Sequence, residues 1–258
     1  MSTPAPAVED TNWLDGDGDL YLQAGPSVER DRPIYQGDVF AGVPIIRLPK
    51  KPPEGNAVEL QVETGVVMVV PHPCQCYHGD RLRPYLTVAP VKVVENYDSF
   101  GDDHAGAKDK FALLDLPVPA RTTDGWVAQS CVADFGRIFS APNSWLKLEN
   151  RIACLTHQGI GLLAKRVLGF QLRFPTTLSQ AMVYTHAEWN ESFLMQAWVQ
   201  KHRELKGFTA WMRQKQVIPG VSQDGELIKP ADLRVGAPDI LMAMITGDEI
   251  VEPEHSPA

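Results

Sequence analysis

Between Ile34 and Phe139 the chain is cut into short β-branched runs by proline and glycine, and this punctuation most restricts its fold. "IYQGDVFAGVPII" (34–46), "AVELQV" (57–62), "GVVMVV" (65–70) and "LTVAPVKVV" (86–94) come first. "KFALLDL" (110–116), "WVAQSCVA" (126–133) and "RIF" (137–139) follow, with "KKPPEGN", "HGDRLRP" and "VPARTTDG" as the turns. β-Branched side chains lose rotamer freedom in a helix and pack well on a pleated surface. Many such strands in succession predict a small, curled antiparallel β-barrel. The unbroken apolar run Val66–Val70 predicts a strand covered on both faces. The polar segment "ENYDSFGDDHAGAKD" (95–109) reads as a long loop or flap.

After Cys154 the apolar period changes from two to that of a helix. "THQGIGLLAKRVLGFQL" (156–172) has Thr156 as its cap and Pro175 as its stop. Gly159, Gly161 and Gly169 lower its propensity, so packing must hold it. In "THAEWNESFLMQAWVQKHRELKG" (185–207), Thr185 and Glu188 have the spacing of a capping box, and Gly207 is the expected stop. Trp189, Phe193 and Ala197 fall on one side of that helix and are expected in the core. "FTAWMRQKQV" and "APDILMAMI" predict two shorter helices, before the acidic end "GDEIVEPEHSPA". The expected architecture is α+β. It has an irregular arm (1–33), a barrel domain with a terminal helix (34–174), and a helical extension with a loop-rich tail (175–258).

The arm contains "DGDGD" (15–19). A calcium loop of that type needs Gly at its sixth position and Glu at its twelfth, where this chain has Leu20 and Pro26. An acidic turn is the reading there. The start, "MSTPAPAVED", lacks the apolar core of a secretory leader, and no run approaches the roughly 20 apolar residues of a membrane span. A cytoplasmic setting with reduced thiols is expected for the four cysteines, or a virion if the chain belongs to a phage. The net charge of −8 disfavours broad nucleic-acid binding. One local basic stretch, 200–216, carries Lys201 and Arg203 and reads as a solvated face or a partner contact.

The order of segments resembles a known family. A "QGDVF" turn is followed by "TGVVMVV", "TVAPVKVV", "WVAQSCVADFGRIF" and then "NRIACLTHQGIGLLAKRV" leading into a helix. This resembles the MazF/PemK-type growth-inhibitor barrel over about residues 34–172. The resemblance implies metal-free cleavage of single-stranded RNA by an Arg after the first hairpin loop and a Thr at the end of the "VAPIT"-like strand. By strand order these positions fall near Gly65 and Lys92, and Gln36 stands where the family often has Arg. Neither catalytic residue type is in its expected place. Gly65 has no side chain to polarise a phosphate, and Lys92 is a poor general acid at neutral pH.

"VVMVVPHPCQCYHGD" (66–80) carries the remaining chemistry. In an extended strand His72, Cys74, Cys76 and His78 share a face, yet the first and last are then roughly 20 Å apart. A single zinc needs its ligands about 2.0–2.3 Å from the metal, so the chain would have to curl. A catalytic reading takes Cys74 or Cys76 as nucleophile, or His72 or His78 as base, but sequence shows no third orienting group. Deaminase zinc chemistry needs His-x-Glu and a separate Pro-Cys-x-x-Cys, which are absent. The principal reading is two small, half-buried cysteines where a strand leaves the core. Asp115 and Asp134 read as turn or rim residues, and His157 as a surface residue at a helix start.

Two functions follow. The first is a non-catalytic binding or assembly protein on a growth-inhibitor-like barrel, of a kind that suits a phage or other mobile element. Its contacts would be Gln36, Asp38, Arg137, Arg151, Lys201 and Arg203, its partner a protein or a second copy, and it would need no cofactor and no membrane. The second is an endoribonuclease with a remodelled site built from His72, His78 and Lys92.

Overall fold

Gly37 turns the chain into its sheet with φ +83°, and a Cβ there would meet Leu155 Cδ1 at 2.6 Å. Only glycine satisfies both the backbone angle and the space. Its N–H donates to Val69 O at 2.8 Å, while Asp38 Oδ2 accepts the Tyr35 N–H at 2.9 Å. From this turn β2 (Val39–Arg47) runs antiparallel to β3 (Gln61–Val69), which pairs in turn with β6 (Tyr85–Val93). The computed structural model describes residues 20–47, 60–94, 110–120, 125–172, 178–223 and 225–248. The "DGDGD" stretch, the 95–109 loop, Pro175 and residues 249–258 of the acidic end lie outside them.

The main sheet is antiparallel throughout. Its order is β1 (Tyr21–Ala24), β10 (Arg151–Leu155), β2, β3, β6, β8 (Trp126–Asp134), β7 (Lys110–Pro119), and β9 (Phe139–Pro142) also pairs with β6. The sheet curls enough for β7 to touch β10 and the turn after β1. Among the described residues, β1 and β7 remain its two ends and share no ladder of hydrogen bonds. Two expectations change here. The end of "AVELQV" and the run "GVVMVV" share one strand, because β3 runs from Gln61 through Gly65, where Ile45 from β2 covers the missing side chain. The arm is not wholly irregular, because Tyr21–Ala24 pairs with Leu155–Ala153 and covers the open edge of β10.

Alternation along β3 divides the interior. Met68 and Val70 enter one core with Leu113, Leu116, Ile152, Ile160 and Leu163. Val67 and Val69 enter a second with Ile34, Phe40, Cys76, Leu86 and Val88. The strand is thus covered on both faces, since side chains two apart share a face. After β3 the chain makes one helical turn, α1 (Pro73–Cys76), and a small hairpin of β4 (Tyr77–His78) and β5 (Arg81–Leu82).

Helix α2 (His157–Leu172) starts as expected: Thr156 Oγ1 accepts the Gly159 N–H at 3.1 Å. Helix α3 (Leu178–His202) does not, because Thr185 lies inside it. The Thr185 hydroxyl donates back to the carbonyls of Ala181 and Met182, both at 3.2 Å, so it caps nothing. The chain leaves α3 at Arg203 (φ +63°), before α4 (Phe208–Arg213), α5 (Pro230–Leu233) and α6 (Pro238–Thr246). Leu194, Ala197, Phe208, Met212, Leu241 and Ile245 form a third core within this helical unit. Asp80, between β4 and β5, joins the unit to the sheet by accepting the Gly207 and Thr209 N–H groups at 2.8 and 2.7 Å. Among the described residues, no helix is long and apolar enough to cross a membrane.

Candidate functional site

The β2–β3 and β7–β8 hairpins flank an open groove of about 1480 Å³. Gly65, Val66, Pro90, Val91 and Lys92 lie along it, and Ile46, Val93, Trp126, Val127 and Ile138 line it while staying exposed. Each cation of the lining has an acid. Lys92 Nζ donates to Asp134 Oδ2 at 2.8 Å, Arg137 Nε is 3.6 Å from the same oxygen, and Arg47 meets Glu63 Oε1 at 2.6 Å. Glu149 adds a further carboxylate to the lining. Gly65 itself has no side chain, and a Cβ there would meet Ile45 Cδ1 at 2.5 Å, while its neighbours Thr64 and Glu63 line the groove. Neither His72 nor His78 lines this groove, so Lys92 is not brought together with them. His78 is exposed on the small hairpin.

Three expected contact residues turn out to be interior. Asp38 is 0% exposed, Arg151 3% and Gln36 3%, and none of them is placed to meet a partner. Arg151 donates to Asp38 Oδ2 at 3.0 Å and to the carbonyls of Pro33 and Glu29. Gln36 Nε2 donates to Val70 O at 3.0 Å. These bonds hold the segment before the sheet onto β3 and β10, although Gln36 Oε1, Asp38 Oδ1 and Arg151 Nε are buried without a hydrogen-bond partner. Arg32, unmarked in the sequence reading, is 1% exposed and lies 3.6 Å from Asp38 Oδ1, over the rings of Tyr35 and Trp189. Burial weighs most against its charge, but Asp38, Cys154 and Tyr35 together outweigh it and its pKa is raised. Of the remaining contact residues, Arg137 is exposed at the groove, and Lys201 and Arg203 are exposed where α3 ends.

The His/Cys stretch is neither a straight strand nor a shared ligand face. The helical turn sends Cys74 to solvent and Cys76 inward, where its thiol reaches the Pro71 carbonyl at 3.7 Å. Burial and nearby Asp38 push the Cys76 thiol up to about 12. Burial alone takes Cys131 to about 11, and burial with Asp38 takes Cys154 to about 12. No group of three or more His, Cys, Asp or Glu is assembled for a metal among the described residues. What the turn does assemble is His72 Nδ1 at 3.1 Å from Cys74 Sγ, with Glu188 Oε2 of α3 at 3.8 Å from His72 Nε2. Sequence could not show this third member, because Glu188 had an apparent role in a cap that the fold does not make.

His157 is also not a plain surface residue. It stacks on Trp189 at 5.5 Å, faces His186 at 5.3 Å and lies 3.3 Å from the Thr185 hydroxyl. Burial, and then His186, lower its pKa. No protein-family model, curated protein or solved structure matches this chain.

Proposed function

We propose that the chain is a non-catalytic binding protein built on a growth-inhibitor-like barrel, whose groove takes an extended, mainly apolar segment of a partner protein. The observation that carries this reading is the charge state of the groove: its three cations, Arg47, Lys92 and Arg137, each face a carboxylate. An RNA strand brings one negative charge per nucleotide and needs cations that are free to replace counterions. A groove already neutralised from within offers it little. A peptide segment instead gains from the exposed side chains of Ile46, Val93, Trp126 and Val127, at about 25 cal/mol per Å² of apolar area covered. The strand order and the curl of the sheet support the barrel scaffold. Gly65 and the ion-paired Lys92 support the absence of phosphate chemistry.

The full chain should leave mixed-sequence single-stranded RNA intact. Selection from a displayed peptide library should enrich apolar segments whose affinity falls at least about tenfold in Ile46→Asp or Val127→Asp. Site-specific RNA cuts that vanish in Lys92→Ala would overturn the proposal in favour of a remodelled endoribonuclease. Enriched peptides that bind both groove variants unchanged would reject the groove as their site.

A further inference from the structure

Cys74 is the only exposed thiol among the chain's four cysteines, and it faces an imidazole. His72 Nδ1 stands 3.1 Å from its sulfur. On the far side of the ring, Glu188 Oε2 lies 3.8 Å from Nε2. That carboxylate oxygen is buried and has no hydrogen-bond partner in the structure. A buried acceptor left open is costly and favours a donor that can close on it. The Nε2–H of His72, 3.8 Å away, is a donor that can close on it. When Nε2 carries the proton, Nδ1 is the acceptor and faces the thiol.

We propose that Cys74 is a modification site for hydroperoxides, with His72 as its base and Glu188 as the positioning residue. In the reaction, Sγ–H passes its proton to His72 Nδ1 as sulfur attacks one peroxide oxygen. The S–O bond forms and the O–O bond breaks. The leaving hydroxide or alkoxide takes the proton back from the imidazolium, giving a sulfenic acid and water or an alcohol. Sulfur loses two electrons and the peroxide gains them. Glu188 stabilises the transient imidazolium. Cys76 takes no part, because its sulfur faces inward on the Pro71 carbonyl. A soluble thiol restores Cys74 through a mixed disulfide. The site is separate from the groove, which none of Cys74, His72 and Glu188 lines.

The test exposes the full chain to hydrogen peroxide at pH 7 and traps sulfenic acid with dimedone, read by peptide mass spectrometry. Label should appear on Cys74 and not on Cys76, Cys131 or Cys154. Its rate should exceed that of the free peptide Pro71–His78 by about tenfold, at the low end of what a placed base supplies. His72→Gln and Glu188→Gln should each remove that excess, while Glu188→Asp restores most of it. A merely structural role for Glu188 would not distinguish Asp from Gln. A rate equal to the free peptide's, or one unchanged by all three substitutions, would overturn the proposal and leave Cys74 an ordinary exposed thiol.

Discussion

Asp38 and Arg151 illustrate what a single buried charge does here. Both are interior and 3.0 Å apart; the Tyr35 N–H bonds Asp38 and two backbone carbonyls accept from Arg151, while Asp38 Oδ1 and Arg151 Nε have no hydrogen-bond partner. Without Arg151, Asp38 keeps only the longer contact with Arg32 at 3.6 Å, and the bonds to the Pro33 and Glu29 carbonyls are lost as well. Arg151→Met should therefore lower stability by about 3–5 kcal/mol, read as a fall in the urea unfolding midpoint. Asp38→Asn with Arg151→Met should cost clearly less than the sum of the two single changes, because the pair acts as a unit. Additive losses would show two independent sites. At this scale the sequence was legible only in part. The Gln36–Gly37–Asp38 turn was recognisable, since Gly37 must take a positive φ. That Asp38 faces inward towards Arg151 was not, because the pairing joins residues at opposite ends of the sheet domain.

Helix α2 shows where packing overrides propensity. Its three glycines weaken it, and one of them, Gly159, sits where the first turn lies against the chain before β1. A Cβ there would meet Leu20 O at 2.8 Å and Leu155 Cβ at 3.2 Å. Alanine normally favours an exposed helix over glycine by about 1 kcal/mol. In this chain Gly159→Ala should instead destabilise by about 1–3 kcal/mol through the forced contact, measured as a lower thermal midpoint. An increase in stability would mean that the packing against Leu20 is loose. The Thr156 cap was readable because a cap is a local bond across three residues. Thr185 offered the same local pattern and misled, because the chain ahead of it from Leu178 is also helical. Once that turn continues upstream, the Thr185 N–H region has no orphan donors to cap.

For the molecule as a whole, the junction between sheet and helical unit is the place where pH should act. His157 of α2 stacks on Trp189 of α3 and faces His186. Its pKa is lowered in the folded chain, by burial first and by His186 second. The unfolded chain therefore takes up this proton first as pH falls. The stability linked to His157 is complete above the ordinary histidine value of about 6.5 and is lost as pH drops below it. Urea midpoints should fall between pH 7.5 and 5.5, and the fall should be shallower in His157→Gln. An equal slope in the two proteins would place the sensitivity elsewhere.

By itself the sequence determined the strand-rich middle, the two-sided burial of Val66–Val70 and the start of α2. These rest on side-chain period, β-branching and short-range hydrogen bonds, which act over a few residues. Tertiary structure alone decided the pairing of Asp38 with Arg151, the ion-paired lining of the groove and the meeting of Cys74, His72 and Glu188. Asp38 with Arg151, Lys92 with Asp134, and Glu188 with His72 are far apart in the chain, and their distances are set by how the sheet curls and where α3 docks. Local preference carries no information about either.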